Sequence, residues 1–120
     1  MYRRRHRLTK ALEFKAVYDA RLKTPRGPVV VFVRPNDLGH PRLGLSVGRR
    51  VGHAVTRNAI KRRLRDAFRQ LAADWPAEKP SLDIVVAARS GRVESPAAYA
   101  EHIAAALAKL LRVLEKRADG

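Results

Sequence analysis

Apolar positions recur along this chain with two different periods, and the switches between them mark six elements. In residues 54–73, Ile60, Leu64, Ala67, Phe68 and Leu71 fall on one stripe of a helix with 3.6 residues per turn. Pro76 halts that helix. Leu12, Phe14, Val17 and Tyr18 predict a shorter amphipathic helix from residue 9 or 10 to residue 20, closed off by Pro25, Gly27 and Pro28. The β-branched and aromatic run at 29–34 and the LGLSV of 43–47 predict two strands. The turn-rich segment between them reads as an ordinary hairpin. Residues 82–88 are apolar without alternation, which predicts a central strand. Ser95 and Pro96 suit the cap and first turn of a closing helix, with Tyr99, Ile103, Leu107, Leu110 and Leu114 on its stripe to about residue 116. The order α-β-β-α-β-α implies a mixed α/β (α+β) two-layer sandwich, one domain over residues 1–120. Residues 1–8 read as a flexible basic arm and 117–120 as a flexible tail.

Charge changes this picture most. Residues 49–69 hold eight Arg and Lys side chains against a single acid, Asp66. Arg57, Lys61, Arg65 and Arg69 step along by four, with Arg62 beside them, so a basic row climbs the flank of the apolar stripe. A merely solvated helix face alternates sign, and like charges four apart cost a few tenths of a kcal/mol per pair. A polyanionic partner would compensate. Over the whole chain 26 Lys and Arg face 11 Asp and Glu, a formal charge of +15, which points to nucleic acid. No apolar run reaches the ~18 to 20 residues of a membrane-spanning helix, so no membrane partner is expected. The basic start lacks the apolar segment of a secretory signal, and cytoplasmic residence is the expectation.

Catalytic chemistry is sparse. There is no cysteine, which excludes disulfides and thiolate zinc sites. His6, His40, His53 and His102 are scattered, and Asp37, Asp66, Asp74, Asp83 and Glu94 form no cluster with two-metal spacing. GHPRLGLS at 39–46 echoes a phosphate-binding loop, but Leu45 stands where that loop requires lysine and a strand follows. Asn58 could bond a base or sugar, and Arg49 and Arg50 extend the basic strip. Phe14, Tyr18 and Phe32 lie either in the core or, beside a basic groove, as a platform on which single-stranded bases stack.

The segment SVGRRVGHAVTRNAIKRRLRDAFR closely resembles the signature of the protein subunit of bacterial ribonuclease P. Its flanks agree over about residues 3–115: Arg7-Leu8, Glu13-Phe14, Val17-Tyr18, Val31-Phe32, the DIVV beginning at Asp83, and Tyr99. The resemblance implies a ribosomal protein S5 domain 2-like fold with a left-handed strand-helix-strand crossover, against the usual hand. It also implies a ribonucleoprotein endoribonuclease that removes the 5′ leader of precursor tRNA. In that assembly catalysis belongs to the RNA subunit, and Mg²⁺ is held mainly by that RNA and the substrate. The implied partners are the catalytic RNA, at one protein per RNA, and precursor tRNA, with no DNA. No side chain is implied as catalytic or metal-binding. Arg49, Arg50, Arg57, Asn58, Lys61, Arg62, Arg65 and Arg69 would meet the RNA subunit, while Phe14, Tyr18 and Phe32 would line a cleft for the single-stranded leader. Two residues depart from the family's pattern. Ala59 replaces a usual arginine, with Arg62 and Arg63 nearby to compensate, and His53 replaces a usual asparagine and weakens the helix cap. The residues themselves leave open a non-catalytic structural RNA-binding protein of ribosomal or RNA-chaperone type, or a protein-only nuclease.

Overall fold

The computed structural model describes residues 7–73, 75 and 80–119. The chain folds as α1 (Ala11–Asp19), β1 (Leu22–Arg26), β2 (Val29–Pro35), β3 (Arg42–Ser46), a 3₁₀ turn (Arg49–Val51), α2 (Ala54–Ala73), β4 (Leu82–Ala88) and α3 (Pro96–Asp119). The four strands form one sheet in the order β1-β2-β4-β3. β4 pairs antiparallel with β2 and parallel with β3, so α2 is the crossover helix between β3 and β4.

The mixed α+β class agrees with the sequence reading, and so does the central place of β4. Its two faces are both buried, which demands a strand on each side and helical cover above and below. That demand overturns the expected hairpin between residues 29–34 and 43–47, because β4 takes the place between those strands. Residues 36–41 cross the end of β4 instead. Asn36 N–H donates to the Ser81 carbonyl at 3.0 Å, and Ser81 Oγ donates back to the Asn36 carbonyl at 2.8 Å.

The expected order also lacked a strand. β1 is an edge strand, its Leu22 and Thr24 buried and Lys23, Pro25 and Arg26 exposed. An edge needs no N–H on its free side, which is why Pro25 fits. Gly27 (φ 54°) and Pro28 make a two-residue turn with glycine in its first position, as such hairpins prefer.

Alternation along the strands assigns the two faces. Val29, Val31, Val33, Leu43, Leu82, Ile84 and Val86 pack with Ile60, Leu64 and Phe68 of α2 and Tyr99, Ile103 and Leu107 of α3. α2 and α3 thus form one helical layer against the sheet. The opposite face carries a smaller cluster, Leu8, Val17 and Val85 with Phe14 and Phe32 against it, under α1. Ser95 caps α3 as expected, its Oγ accepting the Ala98 N–H at 3.1 Å. α3 runs three residues past the expected end and into the supposed tail.

α1 departs from its expected amphipathic form at Leu12, which is 78% exposed. Its start is fixed by Glu13, whose Oε1 accepts the Thr9 and Lys10 N–H groups at 3.1 and 3.0 Å. Its end turns on Arg21, a non-glycine residue at φ 57°. The supposed arm is held at its last two residues: Arg7 bridges to Leu43, and Leu8 is buried. Its first six residues, like Asp74, Pro76 and Gly120, lie outside the described residues.

Beneath α1, Arg42 makes a three-way contact. Its Nε and Nη2 donate to the two oxygens of Asp83 at 2.8 and 2.9 Å, and its Nη1 donates to Glu13 Oε2 at 2.7 Å. Asn36 Nδ2 adds a bond to Asp83 at 2.7 Å. The Thr9 and Lys10 backbone bonds, with help from Arg42, hold the Glu13 carboxyl below its ordinary range, and Asp83 with Glu13 raises the Arg42 guanidinium.

Two outcomes follow. Phe68→Ala removes a buried ring from the main cluster and should lower stability by about 3 to 5 kcal/mol in urea unfolding. Because the Glu13 carboxyl is depressed in the folded chain, its contribution is complete above the unfolded value of about 4.3 and drains as pH falls through the lower folded value. Glu13→Ala should therefore flatten the acid limb of a stability-against-pH curve, an effect absent at neutral salt-matched controls of a surface variant such as Lys109→Ala.

Candidate nucleic-acid interface

α2 turns its buried stripe, Ile60, Leu64, Ala67 and Phe68, toward the sheet and α3. The cations are left on the flanks. Asn58, Arg62, Arg65 and Arg69 are exposed, while Arg57 and Lys61 are half-buried. Arg49 and Arg50 stand exposed on the 3₁₀ turn before the helix. Arg57 serves the approach to the helix, its Nε donating to the Gly52 carbonyl at 3.2 Å. The His53 carbonyl accepts the Arg57 N–H at 2.9 Å, the first bond of the helical ladder.

The row stays available for an outside anion. Among the described residues, no carboxylate comes within ion-pair distance of Arg49, Arg50, Arg57, Lys61, Arg62 or Arg65. Arg69 does meet Asp66, at 3.5 Å, but both side chains are about half exposed, and such pairs contribute little. Arg63 points elsewhere: its Nη1 donates to the Glu94 carbonyl at 3.1 Å and ties α2 to the loop before α3. Of the two neighbours of Ala59 that could make up for a missing arginine, Arg62 is thus the one that stays unengaged.

The aromatic residues sit on the other face of the sheet, around a row that crosses all four strands. Lys23 is opposite Phe32, Phe32 opposite Val85, and Val85 opposite Gly44. α1 lies over this row and buries Val17 in the cluster with Val85. At one end Tyr18 meets Phe32 edge-on, with ring centroids 4.9 Å apart and planes at 88°, and Lys23 Nζ lies 5.8 Å from the Phe32 centroid. At the other end Phe14 lies on Gly44. A Cβ at position 44 would come 2.7 Å from the Phe14 ring, so only glycine leaves room for it.

The structure therefore splits the expected aromatic trio. Tyr18 and Phe32 form a pair, whereas Phe14 lines a recess of about 170 Å³ together with Arg7, Leu8, Leu43, Leu45, Lys61 and Arg65. Phe14 and Phe32 are half-buried and Tyr18 is 38% exposed, so these rings are neither a closed core nor an open wall. The recess brings Phe14 to the basic helix, since two of the stepping cations, Lys61 and Arg65, form its far side. Sequence reasoning passed over Arg7, Lys23 and Arg42 at this site. Their signal was a cross-strand register that no one-dimensional period carries.

A larger hollow of about 420 Å³ lies between the β1–β2 turn and the start of α3, lined by Gly27, Pro28, Ser90, Arg92, Glu94 and His102. Its polar groups serve one another: His102 Nε2 meets Glu94 Oε1 at 3.2 Å, and Ser90 Oγ accepts the Arg92 N–H at 3.1 Å. His40 and His53 are not among its lining residues, and His6 lies outside the described residues. Among the described residues, no three His, Asp or Glu side chains converge as metal ligands, and no helix is long and apolar enough to cross a membrane.

Known proteins resemble this chain in both sequence and fold. The sequence profile of the family described as Ribonuclease P matches residues 2–115. The "Ribonuclease P protein component" of Methylococcus capsulatus is 37% identical over 114 residues, covering 94% of this chain and 78% of that one. The protein of the same description from Streptococcus thermophilus is 42% identical over 86 residues, 72% of this chain and 74% of that one. Among solved structures, the Staphylococcus aureus RNase P protein superposes with a TM-score of 0.71 at 27% identity, covering 85% of this chain and 92% of that one. The Thermotoga maritima RNase P protein gives 0.69 at 29% identity, with 88% and 96% covered. With a profile spanning nearly the whole chain and a fold shared with both solved structures, the chain belongs to the ribonuclease P family, on the protein side of that tRNA-processing ribonucleoprotein.

Proposed function

We propose that this chain binds the catalytic RNA of ribonuclease P through the basic flank of α2 and holds the single-stranded 5′ leader of precursor tRNA at the Phe14 recess. The observation that carries this reading is the shared lining of that recess by Phe14, Lys61 and Arg65. An aromatic ring and apolar side chains beside two cations suit an unpaired nucleotide, whose base is flat and weakly polar and whose phosphate is charged. Stacking tolerates any base, which suits leaders of differing sequence. Tyr18, Phe32 and Lys23 form a separate aromatic and basic patch toward β1.

In this reading the protein takes no part in bond breaking. Its cations cancel phosphate repulsion between two RNAs, and the leader contact raises substrate affinity. Mg²⁺ supplies the charge neutralisation and water activation for hydrolysis. In this reading RNA phosphates hold the ion, in a cytoplasmic assembly of one protein per RNA. The protein's own part is to position and to screen.

Two measurements test this. With about six phosphates covered, log affinity for the RNA subunit should fall against log salt with a slope of about −4 to −5, and a slope near zero contradicts the basic-flank contact. Phe14→Ala should weaken binding of leader-bearing precursor by about 1 to 2 kcal/mol while mature tRNA binding holds, and Phe32→Ala should have the smaller effect because its ring meets Tyr18 rather than the recess. Equal losses for both RNAs would instead favour a structural RNA-binding role without a leader site.

A further inference from the structure

α1 is the wall that carries Phe14, yet it stands outside the main hydrophobic cluster. Only Val17 among its residues is fully buried, and its apolar docking rests on Leu8 and Val85. A nine-residue helix with so small a footing is marginal on its own. What else fixes its height over the sheet is the Arg42 contact, two residues from Gly44 on the same strand and the same face.

We infer that Arg42 is a positioning residue for nucleotide binding: by joining Asp83 of β4 to Glu13 of α1 it sets how far the Phe14 ring stands above Gly44, and so the shape of the recess. This rests on the leader-binding reading of that recess. The geometry of the guanidinium carries it. Bonds from Nε and Nη2 to both oxygens of Asp83 lock its plane, which leaves Nη1 aimed at Glu13 Oε2. Asp83 is 1% exposed, so swinging the guanidinium away would strip a buried carboxylate of its charge partner. Glu13 is likewise committed, its other oxygen holding the Thr9 and Lys10 N–H groups. The chain therefore has one rigid link running β4, Arg42, Glu13, and the next residue is Phe14. A lysine at position 42 offers a point charge and cannot make both contacts in one plane.

Glu13→Gln isolates this link. The glutamine Oε1 can still accept the Thr9 and Lys10 N–H groups, while its NH₂ would face Arg42 Nη1, donor against donor. Tested in the full chain reconstituted with its RNA subunit, Glu13→Gln and Arg42→Lys should each lower the affinity ratio of leader-bearing precursor over mature tRNA by about fivefold or more, the low end of one stacked base. Affinity for the RNA subunit should stay at the wild-type value. Hydrogen exchange should quicken by about tenfold at α1 amides, with α2 and α3 unchanged. If Phe14→Ala lowers the ratio and neither clamp variant does, the positioning role is wrong. If none of the three changes it, the leader reading falls and the positioning role with it. Quickened exchange throughout the chain would make Arg42 a general stabiliser and overturn the inference as well.

Discussion

A strand buried on both faces sets the terms for this fold. β4 is apolar above and below, so it must lie between two strands and between two helical layers. α2 and α3 cover one side with the large cluster, and α1 covers the other with the small one. The edge strand β3 then becomes the place where the two layers come within reach of each other. Phe14 arrives there from α1, Lys61 and Arg65 from α2, and Leu43 and Leu45 supply the floor. No single element contains this site; the burial of β4 creates it.

Charge is distributed to match. The large cluster is purely apolar apart from the Tyr99 hydroxyl, which donates to the Arg92 carbonyl at 3.1 Å, and it supplies stability without ionic help. This leaves α2 free to carry like charges on its outer flanks at a cost of tenths of a kcal/mol per pair. On the α1 side the balance reverses. There apolar area is scarce and acids are spent on structure, with Asp83 and Glu13 both committed to Arg42. These two acids thus neutralise an internal arginine and leave the external row, Arg69 apart, without a carboxylate partner among the described residues.

How much of this could be read from residues alone follows from the range of each signal. α2 was legible to its ends, Ala54–Ala73, because twenty residues of one period leave little ambiguity. The cap at Ser95 and the central place of β4 were legible for equally local reasons. β1 was not, since Pro25 and two cations in five residues look like a turn until the edge position excuses them. The hairpin expectation failed because proximity in sequence favoured β2 with β3, while the demand of β4 for two partners is a property of the whole sheet. At the site, the basic row was legible as periodicity, whereas the three aromatic residues expected to line one cleft fall at two places on the sheet, a separation set by cross-strand register. Arg42 was hidden altogether: in sequence it is one more cation beside a proline, and only the register Arg34, Asp83, Arg42 across three strands gives it meaning.

The separation of Phe14 from the Tyr18–Phe32 pair has a consequence for how a strand of RNA would lie. The two ends of the row are joined by Val17 over Val85, a closed contact with no room for a base between them. A nucleotide in the Phe14 recess is therefore continuous with the cations of α2, and a nucleotide at Tyr18 is continuous with Lys23 at the opposite edge. A chain that touched both would have to pass around α1 rather than beneath it. The cations would favour the first site, because Lys61 and Arg65 have no carboxylate partner among the described residues while Lys23 already faces the Phe32 ring. A leader bound as proposed would thus be anchored where the small cluster meets the basic helix, with the position of α1 on the sheet setting the dimensions of the recess.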